Sequence, residues 1–264
     1  MTEQTYLLEM GTGWHNHAVG PLMPEGLGCE EDVRQVLPSR RGDSLWIAPT
    51  HESVVTLARV LCQRHSAHRD DLLALVPVSP PLCHLFSQRF RRFVHKQEYM
   101  LPLEEIVTIL LRKDRADFCI GGTMEMDADM LCVVRGDLSN LWIPLTSLRA
   151  RETGPAPDLT RFQVVDHGRT LQLGTYQAAF DALLYELDVN YRKRLKGLRL
   201  QQDRTLAGSL RRLRKQQGLL LRDMGALEKT TARIERGEVT KPRRATLNAI
   251  AHRLGVLPGQ LLDF

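Results

Sequence analysis

The 264-residue chain contains no Cys-x-x-Cys pair. Its cysteines, Cys29, Cys62, Cys83, Cys119 and Cys132, are odd in number and scattered. That argues against a disulfide framework and against a structural zinc site, and leaves free, mostly buried thiols as the expectation. No apolar run approaches the ~20 residues needed to span a bilayer. The start, Met1-Thr-Glu-Gln-Thr-Tyr6, lacks both the basic residues and the apolar core of a secretory leader. A cytoplasmic protein that does not engage a membrane is therefore expected.

Signatures of catalysis are also missing. Gly11-Thr-Gly13 and Gly26-Leu-Gly28 lack the Lys-Ser/Thr continuation of a phosphate loop, and His51-Glu52 is followed by Val55 where a helical zinc-protease motif needs histidine. Cys62, His65 and His68 fall at three-residue spacing, but four-coordination needs a further ligand that only His15, His17, Cys83 or His84 could bring by folding. Asp127 and Asp129 read as a hairpin turn rather than an acid–base pair, and no nucleophile–base constellation stands out. Neither an enzyme nor a cofactor is expected.

What is present is charge, unevenly placed. The net charge is +5. Residues 191–264 carry 18 Lys and Arg against 6 Asp and Glu, so the rest of the chain is net acidic. A basic tail on a mildly acidic body directs a polyanion to the tail; membrane surfaces are polyanionic too, so charge alone does not choose DNA.

Along the chain, an α+β protein is expected: a mixed N-terminal body with short antiparallel strands, then an all-α five-helix domain. Four segments are expected: 1–100, an α+β domain of unknown role; 101–189, a small hairpin-rich α+β domain; 190–205, a basic linker or helix; and 206–264. The opening is loop-rich, with Gly11, Gly13, Gly20, Gly26 and Gly28 beside Pro21 and Pro24. Leu45-Trp-Ile47 reads as a strand, and Val54, Leu57, Ala58 and Leu61 mark a helix beginning near Thr50 or Glu52. Leu72 to Val78 reads as a buried strand and Leu82 to Tyr99 as a helix. In the second segment a short helix at Leu103 precedes strands at Asp117, Met130 and Leu141. A hairpin turns at His167-Gly168, and a helix runs from Thr175 to Tyr185. Arg41-Gly-Asp-Ser-Leu-Trp-Ile resembles Arg135-Gly-Asp followed by Leu141-Trp-Ile143; chance is preferred to a duplicated hairpin. Taken with Val164-Val-Asp-His-Gly168, Leu171-Gln-Leu-Gly174 and Asp181-Ala-Leu-Leu-Tyr185, the region from about Leu101 to Asp188 loosely resembles a small bacterial α+β domain of unknown function, which implies no activity.

The last segment is the most informative. Leu206, Leu210 and Leu213 sit at i, i+4 and i+7, the apolar face of one helix ended by Gly218. Leu219 to Met224 is a short second helix, Gly225 a turn, and Leu227 to Arg236 a third helix with Thr231 and Ile234 facing inward. Leu247, Ile250, Ala251 and Leu254 are the core face of a fourth helix, and Pro258 opens a fifth with Leu261 and Leu262. Thr230-Thr-Ala-Arg-Ile-Glu-Arg-Gly-Glu238, Pro242 and Ile250-Ala-His-Arg-Leu-Gly-Val256 together resemble the phage-repressor/Cro-like (XRE-type) helix-turn-helix family across about Leu206 to Asp263.

That resemblance implies double-stranded DNA as the partner. It assigns Glu228, Lys229 and Arg233 as base readers and Thr230 as a base or phosphate contact. Arg236, Lys241, Arg243 and Arg244 hold phosphates, and the family position of Arg243 enters the minor groove. It also implies that Glu235 pairs with Arg214 of the first helix, a structural role. The chain departs from the family in a shorter second helix, in Met224-Gly225 for Ala-Gly, and in Leu227 where a Ser or Thr cap worth ~1 kcal/mol stands. The expectation is a bacterial transcriptional regulator that binds an operator as a homodimer, with an effector or protein partner at the body. The alternatives are an antitoxin that autoregulates its operon and an enzyme in the first hundred residues.

Overall fold

The computed structural model describes residues 4–10, 17–39, 44–63, 70–148 and 154–261. Gly11-Thr-Gly13, His15, Arg41-Gly-Asp43, His65, His68 and Leu262 lie outside the described residues, and with them the Gly-x-Gly opening, the first Arg-Gly-Asp turn and the Cys62–His68 cluster. Two compact units divide the chain, Met1–Leu187 and Asp188–Phe264. The expected segments 1–100 and 101–189 both fall essentially in the first, and 190–205 lies in the second with the C-terminal stretch. Helices and strands are mixed in the first unit and the described elements of the second are helical, an α+β composition.

The first unit begins as a parallel sheet. Its elements are β1 (Gln4–Leu8), β2 (Glu25–Leu27), α1 (Glu30–Ser39), β3 (Ser44–Ala48), α2 (His51–Cys62), β4 (Asp71–Ala74), α3 (Pro80–Arg89) and β5 (Arg92–His95). The strand order is β2-β1-β3-β4-β5 and every pairing is parallel, with Leu7 opposite Ile47, Ile47 opposite Leu73 and Leu73 opposite Val94. This corrects the expectation of antiparallel strands here. The physical reason is burial on both faces. All five residues of β3 and all four of β4 are buried, so beyond their first residues, Ser44 and Asp71, their sequences run apolar without alternation and carry no period-two signal. β1, with four of its five residues buried, lay hidden for the same reason among Gly and Pro punctuation. The helix expected over Leu82 to Tyr99 ends at Arg89. Phe90 is extended, Arg91 N donates to Asp70 O at 2.9 Å, and the Arg91 guanidinium grips the Asp71 carboxylate at 2.7 and 3.0 Å. These tertiary bonds draw Phe93 and Val94 into β5, overriding a helical spacing.

The core of this sheet contains Tyr6, Leu8, Trp46, Leu57, Leu61, Leu72 and Phe86. Tyr6 and Trp46 lie ring against ring at 4.7 Å. α2 starts where expected because Thr50 caps it. Its hydroxyl accepts from Ser53 N at 3.1 Å, and Ser53 Oγ accepts from Thr50 N at 3.0 Å.

The remainder of the unit holds α4 (Leu103–Leu110) and two antiparallel three-stranded sheets. One is β6 (Cys119–Glu125), β7 (Met130–Arg135) and β8 (Asn140–Pro144); the other is β9 (Phe162–Val165), β10 (Thr170–Leu173) and β11 (Tyr176–Ala179), followed by α5 (Phe180–Leu187). The turns fall as read, at Asp127–Asp129, at Arg135–Asp137 and at His167-Gly168. The helix expected from Thr175 is corrected: Tyr176–Ala179 is a strand, because Gly174 at φ +64° turns the chain and sets Tyr176 opposite Leu173. The two halves of the unit join at Gly121, which bridges Tyr99; a Cβ there would lie 2.1 Å from Glu98 O.

The second unit contains α6 (Val189–Gln202), α7 (Leu206–Gln216), a 3₁₀ segment at Leu221–Leu227, α8 (Glu228–Glu235), α9 (Arg244–Leu254) and a 3₁₀ turn at Pro258–Leu261. The second and fifth elements of the C-terminal stretch are thus 3₁₀ rather than α-helical. Leu210, Leu213, Met224, Ile234, Ile250, Ala251, Leu254 and Leu261 form its core. Among the described residues no helix is long and apolar enough to cross a membrane.

Candidate nucleic-acid interface

The interface is built from α7 upward. Thr205 caps α7, its hydroxyl accepting from Gly208 N at 3.2 Å, while Asp203 Oδ1 accepts from Thr205 N and Oγ1 at 3.0 and 2.6 Å. Those bonds hold the Asp203 carboxyl below its ordinary pKa, the Thr205 hydroxyl contributing most. α7 buries Leu210 and Leu213 together with a charged residue, Arg214.

Arg214 meets Glu235 of α8 through two hydrogen bonds, Nε to Oε1 at 2.7 Å and Nη2 to Oε2 at 2.8 Å. The two side chains are only 8% and 5% exposed. Arg214 Nη1 also donates to Leu219 O at 2.7 Å, which ties down the chain leaving α7. The carboxylate raises the Arg214 pKa above its ordinary value against the opposing effect of burial. Arg211 adds a second cation near the same carboxylate at 3.7 Å, and donates to Glu235 O. α8 is thereby clamped to α7 at its C-terminal end.

The segment before α8 is the shortened one. Asp223 Oδ2 accepts from Leu220 N at 2.7 Å, and Asp223 O accepts two bonds from Arg253 of α9 at 2.6 and 3.0 Å. Gly225 has φ 60° and ψ −130°, a conformation open to glycine, and there the chain turns into α8. Leu227 precedes α8 with no side-chain cap bond, so its first amides find no side-chain acceptor from that position.

α8 buries Thr231, Ile234 and Glu235. At 3.6 residues per turn Lys229, Arg233 and Arg236 then share the opposite stripe, at i, i+4 and i+7. All three are exposed, as is Glu228, and Thr230 is half-buried on the flank. After Gly237, the exposed Lys241 and Arg243 lead into α9, whose first residue is the exposed Arg244. Arg243 supplies no side-chain cap and the first turn of α9 holds no acid. The eight residues singled out by resemblance thus fall on α8, on the loop after it and on the start of α9.

Two of the cations are not free. Glu238 accepts from Arg236 Nε at 2.5 Å and lies 3.4 Å from Arg233 Nε, and Arg236 foremost holds its carboxyl below the usual range. Among the described residues Lys229, Lys241, Arg243 and Arg244 form no ion pair. Sequence spacing did not mark Glu238 or Arg253, because each acts across a turn or between helices rather than along one.

Among the described residues no group of three His, Cys, Asp or Glu is placed to hold a metal ion. All five cysteines are free; Cys119 and Cys132 are buried, while Cys29 and Cys62 are exposed, so the thiols are less buried than expected. Burial pushes the Cys132 thiol up to about 11. Comparison with protein-family models, with curated proteins and with solved structures finds no match to this chain.

Proposed function

We propose that the protein is a sequence-specific DNA-binding transcriptional regulator of the phage-repressor/Cro-like helix-turn-helix kind. α8 is its recognition helix. The observation that carries the reading is the two-sidedness of α8. One side, Thr231, Ile234 and Glu235, is sealed into the domain, and the other presents Lys229, Arg233 and Arg236 to solvent. Lys229 and Arg233, with Glu228 and Thr230 at the N-terminal end, reach base edges in the major groove. Arg236, Lys241, Arg243 and Arg244 hold phosphates and fix the register. The start of α9 favours this division, since its uncapped amides and two arginines together suit an anion.

The function is binding rather than catalysis, in the cytoplasm, and the protein acts as a homodimer because one such helix reads a single half-site. The body receives the regulatory signal. Its strand order reverses between β1 and β3, the place where parallel sheets of this kind take small ligands.

The test is selection of duplexes from random sequence by the full chain, with the mass of the resulting complex. A recurrent site with two half-sites about 34–36 Å apart and a mass of two chains per duplex support the reading. A pool without enrichment overturns it.

A further inference from the structure

α6 (Val189–Gln202) plays no part in the interface described above. It is nonetheless a formed, capped helix, with Asp188 Oδ1 accepting from Asn190 N at 2.8 Å and Tyr191 N at 3.2 Å. It contains Arg192, Lys193, Arg194, Lys196 and Arg199 and no acidic residue. Lys193, Lys196 and Arg199 follow at three-residue intervals, so they share one face, and all three are exposed. Among the described residues none pairs with these three side chains. Tyr191, Leu195 and Leu198 form a separate stripe at i, i+4 and i+7, of which Tyr191 is buried.

Such a helix opposes itself. Like charges three and four residues apart repel. Gly197 lowers helix propensity in its middle, although nothing within 4 Å of its Cβ position requires a glycine. A second copy of α6 against this face would double the repulsion; a polyanion removes it. α6 also belongs to the same compact unit as α8. It is tied to α7 by Arg212, whose guanidinium donates to Gln201 O at 3.3 Å and to Asp203 O.

We propose that α6 is a second DNA-binding element, which lays Lys193, Lys196 and Arg199 along the phosphate backbone outside the half-site read by α8. This rests on the DNA-binding reading given above. The helix is about 21 Å long, enough to follow several phosphates of one strand. Its contacts carry no base information, so they extend the footprint and strengthen binding to every sequence alike.

The test compares the full-length parent with a variant carrying Lys193→Gln, Lys196→Gln and Arg199→Gln. Glutamine keeps helix propensity, and far-UV circular dichroism checks that the helix remains. The probes are the selected duplex and a mixed-sequence duplex, titrated across a range of salt. Three lost phosphate contacts flatten the slope of log affinity against log salt by about 2.7, so the parent's affinity loss from ~50 to ~200 mM salt shrinks by about 40-fold. The preference for the selected site stays unchanged. A control of equal charge, Arg59→Gln, Lys113→Gln and Arg161→Gln in the first unit, keeps the parent slope. If the triple variant in α6 loses helix signal, the three single variants are measured, each expected to flatten the slope by about 0.9. A parent slope in the α6 variants, alongside relaxed specificity in Lys229→Ala, overturns the role of α6 alone. A parent that shows no salt-dependent binding to either duplex overturns the role of α6 and the DNA-binding reading together.

Discussion

Glu235 and Arg214 are joined by two hydrogen bonds of 2.7 and 2.8 Å in a nearly dry setting between α7 and α8. The pair sits one residue beyond the buried Ile234, at the end of the helix proposed to read DNA. Its geometry makes it a clamp, and removal of Glu235 leaves the buried Arg214 with no counter-ion. Glu235→Leu is expected to destabilise the C-terminal unit by about 3–5 kcal/mol, while Glu235→Leu with Arg214→Met loses much less. Urea unfolding followed by far-UV circular dichroism measures both. Equal losses in the single and double variants contradict the clamp.

Gly225 makes the turn into α8 at φ 60° and ψ −130°. Its Cβ position is free of neighbours, so any penalty of Gly225→Ala is conformational and not steric. A loss of at least about 1 kcal/mol is expected. A neutral substitution in the same unfolding measurement shows that the turn relaxes.

Glu238 holds Arg233 and Arg236 at 3.4 and 2.5 Å, so under the proposed function it competes with DNA for the base reader Arg233 and the phosphate contact Arg236. Glu238→Gln frees both cations. Affinity for mixed-sequence DNA is expected to rise several-fold, with a steeper salt slope by about 1 from the freed phosphate contact of Arg236. Fluorescence anisotropy at several salt concentrations measures it, and an unchanged slope removes the competition. Arg244→Ala is expected to weaken every sequence about equally, whereas Lys229→Ala relaxes preference at one position by about 1–3 kcal/mol.

The lowered carboxyls set the acid behaviour. Asp203 is held down by Thr205, Asp158 by Thr160, and Asp114 by Arg112. A carboxyl whose folded pKa lies below its unfolded value stabilises the fold above the unfolded value and loses that contribution as pH falls through the folded one. Thermal midpoints are therefore expected to fall as pH drops below the ordinary carboxylate range of about 4, and Asp203→Asn flattens that dependence. A midpoint that holds constant below that range contradicts this origin.

Much of the C-terminal unit was legible because its signals are local. Leu210, Leu213, Ile234, Ile250 and Leu254 recur at helical spacing and do form the core. Glycines mark its turns, and the Glu235–Arg214 pair follows from a resemblance to a motif of fixed spacing. The hairpins of residues 119–173 were visible through Gly-Asp and His-Gly turns. The parallel sheet of residues 4–95 was not. Its strands at Leu45 and Leu72 were read, but Thr5-Tyr-Leu-Leu8 was missed and the parallel pairing stayed hidden, because these strands are buried on both sides, lack alternation and pair with partners tens of residues away. Phe93 and Val94 misled for a related reason: Arg91 and Asp71 decide where that helix stops, and their pairing is a tertiary fact. The exposed face of α8 was readable from sequence, but the withdrawal of Arg233 and Arg236 toward Glu238 was not.

DNA recognition by α8 is tested most directly by equilibrium titration of the full chain with a duplex recovered by random-sequence selection, against a shuffled duplex of the same composition, at one fixed physiological salt concentration. Recognition predicts that the selected duplex binds at least about 10³-fold more tightly, and that Lys229→Ala reduces this ratio while leaving the shuffled duplex nearly unchanged. Equal affinity for the two duplexes, or a ratio indifferent to Lys229, contradicts it.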